Sequence, residues 1–540
     1  MDARKGDAGH RRRDRDGFVA LALALYAACA LWATWPAVRH LDGHYLARPA
    51  AGYGEAAAGD HLQLGWAFWL PGHQLAHGAA PWADPYSFRP EAAASPNLQG
   101  WLLGAPFWPL QALFGNVWAY DLIVLLSFVA AGGLACWWLR ALGLVRGAAL
   151  AGGLVFALAP YRVGQSTGHL LGLIAFLLPA LLLALEKRRF WWAAAALCAI
   201  PLSGQIHLAM GAVLLALGYA WARLPRADRW KAAAAAGAAS ASALVVQRTV
   251  VAGSIAGGGR SFAQVDRYSA ELSDFFTRGV GAGIEELVFM GWLTPVLALA
   301  GLWAVRRQRG LVAFLGLSLL LPCLLALGAN VPLYEPLWHA LPPLRFARVP
   351  ERLLPIACLS LAALVALAVD FVANRQKARA AGRGWAAAGL AILLVVLAID
   401  LRVPVFGAVA ADTPSSAYAA ITGDGRLLEL PVFRPDIHFG SVYLGYARQS
   451  PRERPQGYST TAPPAADRLA RRLRGLSCGR GTVPPGLGVG FVAVHRGLYA
   501  QSGFFAPGCA AAAESALRRA GWRLLDRDGV ISTWRAPHAP

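Results

Sequence analysis

The chain has 540 residues, of which 57% are hydrophobic and only 15% charged. That balance excludes an ordinary soluble protein, which at this length carries more charge and divides into several domains. The formal net charge of +20 does not indicate nucleic acid, because the arginines and lysines fall in short clusters between long apolar runs rather than on an extended solvated face.

Residues 1–17 are read as a short basic cytoplasmic tail, disordered between Arg4 and Arg15. Residues 18–38 are the first apolar run. No small-residue cleavage site follows it, so it is a signal anchor rather than a signal peptide. A first outer loop occupies about 39–115, with Asp42, Glu55, Asp60 and Asp84 and an aromatic segment, Trp66, Phe68 and Trp69, expected at the membrane interface. Within it, residues 101–114 are apolar but short and contain two prolines, which predicts a re-entrant or interfacial segment. Further apolar runs lie at 117–139, 147–160, 169–185, 190–206, 208–222, 232–252, 286–305, 311–328, 351–372 and 385–402. With the first run they predict about eleven helical spans across roughly 30 Å of hydrocarbon.

Basic residues alternate from loop to loop. One side carries the N-terminal arginines, Arg140 and Arg146, Lys187 to Arg189, Arg223 to Lys231, Arg306 to Arg309, and Arg375 to Arg383. By the positive-inside rule that side is cytoplasmic. The outer side then holds the 39–99 loop, Tyr161 to Gly168, Gly253 to Glu285, Gly328 to Pro350, and everything after Arg402. The 18–402 region is thus a transmembrane domain of the cytoplasmic (inner) membrane, and residues 403–540 are an extracytoplasmic domain.

The tail reads as a small α/β domain. Gly425 to Phe433 and Gly488 to His495 have strand composition, Ala510 to Ala520 is helical, and Trp522 to Trp534 is a hairpin turning at Arg527-Asp528-Gly529. No catalytic constellation is legible in it, and a substrate-contacting or structural cap is expected. Of seven cysteines, none forms a CxxC pair, so no metal site is readable. Cys478 and Cys509 are the two in the tail and can pair in an oxidising compartment.

Polar groups are costly in hydrocarbon, and those retained mark a working face. Here they gather at the outer ends of spans: Asp121; Arg162, Gln165 and His169; Gln205 and His207; Gln247 and Arg248; Arg345, Arg348 and Arg352. A site at the outer membrane surface follows, not the midplane site of a secondary transporter. Arginine clamps phosphate bidentately, and a facing carboxylate can remove a proton from an acceptor hydroxyl. Glu55, Asp84 and His169 are further candidates; Asp84 precedes a proline and can equally be a turn. The Gly257 to Gly259 run lacks the Lys-Ser/Thr of a phosphate loop.

Several segments together resemble the GT-C class of membrane glycosyltransferases. They are Gly59-Asp60 on a long first outer loop followed by an aromatic helix; FALAPYRVGQSTGHL, Phe156 to Leu170; RSFAQVDRYSAELSDFF, Arg260 to Phe276; and LYEPLWHALPPLRFARVPERL, Leu333 to Leu353. In the tail, LLELPVF (Leu427 to Phe433), QGYST (Gln456 to Thr460) and VGFVAVHRGLY (Val489 to Tyr499) resemble the outer domain of bacterial members. The resemblance implies a GT-C-like polytopic α-helical fold and transfer of a sugar from a polyprenyl-phosphate donor to a glycan or lipid acceptor of the cell envelope. It implies Asp60 as the catalytic base, with donor phosphate bound among Arg162, Arg248, Arg348 and Arg352. Many members carry two adjacent acids on this loop, whereas here Asp60 is followed by His61. A divalent cation is left open, since the loop acids are too separated to show one. Two other readings are a non-catalytic membrane scaffold and a lipid or polysaccharide transporter. The transporter reading calls for internal repeats and a polar path through the membrane, and neither is visible.

Overall fold

The computed structural model describes residues 3–48, 50–279, 284–341, 344–345, 349–378, 383–406 and 410–537. Among the described residues, six helices are long and apolar enough to cross a membrane: Asp16–Thr34, Asn116–Ala141, Ile206–Arg223, Arg226–Val251, Arg309–Ala326 and Pro350–Arg375. Five shorter apolar helices stand with them: Arg146–Ala157, Leu170–Glu186, Phe190–Leu202, Leu293–Ala304 and Ala387–Asp400. Alanine and leucine dominate these runs. Both favour helix, and helix is the local structure that satisfies its own backbone polar groups in an apolar medium. The first helix begins at Ala3, not at the start of the apolar run. The basic segment expected to be disordered therefore extends it.

The helix Pro350–Arg375 is the most enclosed, with 72% of its apolar window buried. It packs against Arg146–Ala157, Leu293–Ala304 and Arg309–Ala326. Small residues permit the close approach. A Cβ on Gly301 would fall 2.0 Å from the Leu364 carbonyl oxygen, so glycine alone fits there. Trp101–Phe114, with Pro106 and Pro109 inside it, is a helix lying against Asp60–Ala76 and Asn116–Ala141.

The strands are β1 (His44–Tyr45), β2 (Ala83–Asp84), β3 (Ser95–Pro96), β4 (Ala410–Ala411), β5 (Arg426–Leu430), β6 (Val489–His495), β7 (Arg523–Asp528) and β8 (Ile531–Arg535). The tail holds one four-stranded sheet in the order β5-β6-β8-β7, with β5 and β6 parallel and the other pairs antiparallel. These strands coincide with the segments of strand composition, and the β7–β8 turn contains Gly529 at φ +53, a left-handed geometry that glycine adopts freely. Leu428, Leu430, Val492, Val494, Leu517 and Trp534 form a core on this sheet.

Cys478 and Cys509 are joined, fastening the turn Arg474–Cys478 to the helix Cys509–Arg519. Replacing both by serine is expected to lower the stability of the tail by about 2–4 kcal/mol. A mobility shift on non-reducing gels, lost in the double variant, reports the bridge; identical mobility with and without reductant would count against it.

The first loop and the tail interlock. β1 pairs with β4, and the 86–89 segment exchanges backbone hydrogen bonds with Arg454. Glu55 is 2% exposed and accepts hydrogen bonds from His495 Nδ1 and the Leu498 amide. The two segments thus form one layer over one set of helix ends.

Candidate active site

Under that layer lies a cavity of about 510 Å³, walled by the first loop, the adjoining helix ends and the tail. Asp60 is the first residue of the helix Asp60–Ala76, where unpaired amides and the helix dipole favour an anion. Opposite it, Gly168 ends the turn after Pro160–Gln165. A Cβ there would sit 3.3 Å from the Asp60 Cβ, so glycine lets this turn close on Asp60 and present the next residue, His169.

His169 Nε2 lies 2.8 Å from Asp60 Oδ2, and its Nδ1 lies 2.7 Å from Gln165 Oε1. Arg352, from the turn Pro350–Leu353, donates to Gln165 Oε1 at 3.0 Å and to Glu285 Oε1 at 2.7 Å. Gln165 Nε2 donates to Glu285 Oε2 at 3.2 Å. Four segments thereby contribute to one polar network running from Asp60 to Glu285. The tail adds a fifth, because the Tyr458 hydroxyl donates to Asp60 Oδ1 at 2.8 Å.

Burial opposes ionisation of Asp60. The hydrogen bond and charge of His169, with Tyr458 and His438, outweigh it and hold the carboxyl below the usual carboxylate range. The neighbouring His61 is different. Burial pushes its imidazole down to about 4. It packs against Tyr45, with ring centroids 5.4 Å apart, and is absent from the cavity wall. The residue that follows Asp60 is thus a neutral core side chain.

The other sequence candidates fall in several places. Arg352 and His169 line the cavity with Asp60. Asp84 lies at its edge, where its oxygens accept from Trp66 Nε1, the amides of Tyr86 and Ser87, and the Ser87 hydroxyl; it builds a turn. Glu55 is in the loop–tail seam described above. Arg162 is buried among the helices, its guanidinium 4.2 Å from the Phe128 ring centroid and 3.4 Å from Ser127 Oγ, and does not line the cavity. Arg248 is exposed on the turn Gln247–Val251, whose neighbours Thr249 to Val251 reach the cavity. Arg348 lies outside the described residues. Asp121 is buried and accepts from the Leu46 amide at 2.7 Å.

Sequence reasoning passed over Tyr458 as a site residue, although it stands in the QGYST segment; its contact with Asp60 spans 398 positions. Arg260 also lines the cavity. Among the described residues, no group of three or more His, Cys, Asp or Glu side chains is placed to hold a metal ion.

No protein-family profile and no curated protein matches the sequence. Solved structures do. The arabinofuranosyltransferase AftD from Mycobacteria aligns with a TM-score of 0.58 at 16% identity, over 96% of this chain and 40% of that one. The Archaeoglobus fulgidus oligosaccharyltransferase tethered to an acceptor peptide aligns with a TM-score of 0.50 at 11% identity, over 94% of this chain and 72% of that one. The chain spans about 40% of the length of AftD. These neighbours are GT-C glycosyltransferases, and at such identities the likeness establishes a common fold.

Proposed function

We propose that this protein, with its GT-C fold, is an integral-membrane glycosyltransferase. In this reading it moves a sugar from a polyprenyl-phosphate donor to a cell-envelope acceptor on the outer face of the cytoplasmic membrane. The N-terminus is cytoplasmic, about eleven helices cross, and the tail is an extracytoplasmic domain. The observation that carries the reading is Asp60, an ionised carboxylate on the wall of a cavity that Arg352 and Arg260 also line.

The chemistry is a single displacement. The acceptor oxygen attacks the anomeric carbon, the bond from that carbon to the phosphate oxygen breaks, and polyprenyl phosphate leaves with the bonding pair. Asp60 receives the acceptor's proton as that oxygen becomes acidic in the attack. Attack opposite the leaving phosphate inverts the anomeric centre. Arg352 uses two of its nitrogens on Gln165 and Glu285. A guanidinium has five N–H donors, so others remain for a phosphate oxygen.

The test is incubation of purified protein with a panel of radiolabelled polyprenyl-phosphate sugars and envelope acceptors. Label should move to acceptor with equal release of polyprenyl phosphate; no transfer from any donor by folded protein would overturn the reading. Arg352→Gln is expected to raise the donor KM by about 10–100-fold, as loss of a charge-assisted contact does. A donor KM unchanged from wild type would remove Arg352 from the donor site.

A further inference from the structure

The Gln165 amide reports the protonation of His169. Arg352, which can only donate, lies 3.0 Å from one of its terminal atoms, and the Glu285 carboxylate lies 3.2 Å from the other. The amide oxygen therefore faces Arg352 and the NH2 faces Glu285. His169 Nδ1 stands 2.7 Å from that same oxygen, so Nδ1 carries a proton. Nε2 faces Asp60 Oδ2 at 2.8 Å and Glu285 Oε1 at 3.8 Å, both carboxylate oxygens, so it carries a proton too. With the facing carboxylates ionised, neither nitrogen is left as an acceptor.

Asp60 is thus gripped at both oxygens, with Oδ2 on His169 and Oδ1 on Tyr458. Tyr458 is itself tied to the same helix, since its carbonyl accepts from Gln63 Nε2 at 3.2 Å. Each carboxylate oxygen has two lone pairs, so Oδ1 keeps one for an acceptor hydroxyl.

We infer that His169, as a doubly protonated imidazolium, and Tyr458, from the tail, are the positioning residues of Asp60, and that the tail is in this way part of the catalytic site. The inference rests on the transferase reading for its consequence, though not for its geometry. Two donors on opposite oxygens fix the plane of the carboxylate, and positioning of this kind sets how well a base meets its proton. The charge of His169 also favours the ionised form of Asp60. The other charged and titratable groups facing the pair are Glu285 and Arg352 through the network, and His438 beside Asp60. His61 follows Asp60 in the helix and packs on Tyr45, and Arg448 lies beside Gly65 of the same helix.

The sign of the pH effect follows. Asp60 must be ionised to act, so activity is lost as pH falls through its pKa. A lowered pKa preserves activity at low pH, and loss of His169 moves the acid limb of kcat/KM upward. In His169→Gln that limb is expected to shift toward the ordinary carboxylate value, with kcat reduced about 100-fold and the donor KM within about threefold of wild type. Tyr458→Phe should shift the limb less in the same direction, with kcat down about tenfold. An acid limb in His169→Gln superimposable on the wild type would overturn the inference.

Two readouts on the full-length protein do not depend on turnover. Nitrogen-15 NMR of histidine-labelled wild type, assigned by difference from His169→Gln, should show both ring nitrogens of His169 protonated. The infrared carboxyl band of Asp60, assigned by difference from Asp60→Asn, should appear at lower pH in wild type than in His169→Gln. A singly protonated ring, or a band at the same pH in both, overturns the inference even if transfer is observed. Both signals as expected, in protein that turns over no donor, would uphold the positioning and sink the transferase reading.

Discussion

Asp60→Asn is expected to lower sugar transfer by about 10²–10⁴-fold, the contribution of a positioned base, while leaving the protein folded. Asparagine has the shape of aspartate. Its carbonyl oxygen can accept from His169 Nε2 in place of Oδ2, and its NH2 can donate to the Tyr458 hydroxyl once that hydroxyl rotates. Both contacts that seat the side chain persist, and the proton acceptor is lost. Initial rates with a labelled polyprenyl-phosphate sugar, alongside donor affinity by direct binding, separate the two effects. A rate collapse with donor affinity retained identifies the base. Transfer at the wild-type rate would remove Asp60 from the chemistry and return the question to the other first-loop acids.

Glu55→Ala should have the largest effect on stability. The Glu55 carboxylate is buried and takes hydrogen bonds from His495 Nδ1 and the Leu498 amide, 440 and 443 positions away. Behind it, His495 Nε2 lies 2.8 Å from the Tyr418 hydroxyl, Tyr418 donates to Glu429, and Glu429 accepts from Arg454 at 3.0 Å, all of them buried. Truncation strands two buried donors and unbalances the cluster, at a cost of about 3–5 kcal/mol. The damage falls on the seam between first loop and tail, so thermal unfolding should shift by several degrees and the tail should become protease-sensitive first. Because Tyr458 belongs to that tail, transfer should fall with it. A variant melting with the wild type and equally resistant to protease would show that the seam is held elsewhere.

Much of this was legible from residue order. The two tail strands, the helix near 510–520 and the hairpin at Asp528-Gly529 stand where their composition placed them. His169 and Arg352 are among the polar groups that the sequence places at the expected outer ends of spans, and Asp60 is the first-loop acid that the GT-C resemblance singles out; the structure brings all three to one cavity. Arg162 and Arg248 were chosen by the same rule, yet one points into the helix packing and the other is exposed. The rule fixes depth along a helix; it says nothing of rotation about the helix axis, and rotation decides which side chain meets the cavity.

The sequence by itself determined the apolar runs, the alternation of basic loops and the face on which polar groups collect. These are local quantities, set by the transfer cost of each residue and of its near neighbours. Only the tertiary structure decided that Tyr458 completes the hydrogen bonding of Asp60, that Glu55 locks the loop to the tail, and that His61 turns into the core. The first two depend on contacts 398 and 443 positions apart and the third on the packing of His61 against Tyr45; such pairings follow from how helices and sheet pack together, which no window of the chain encodes.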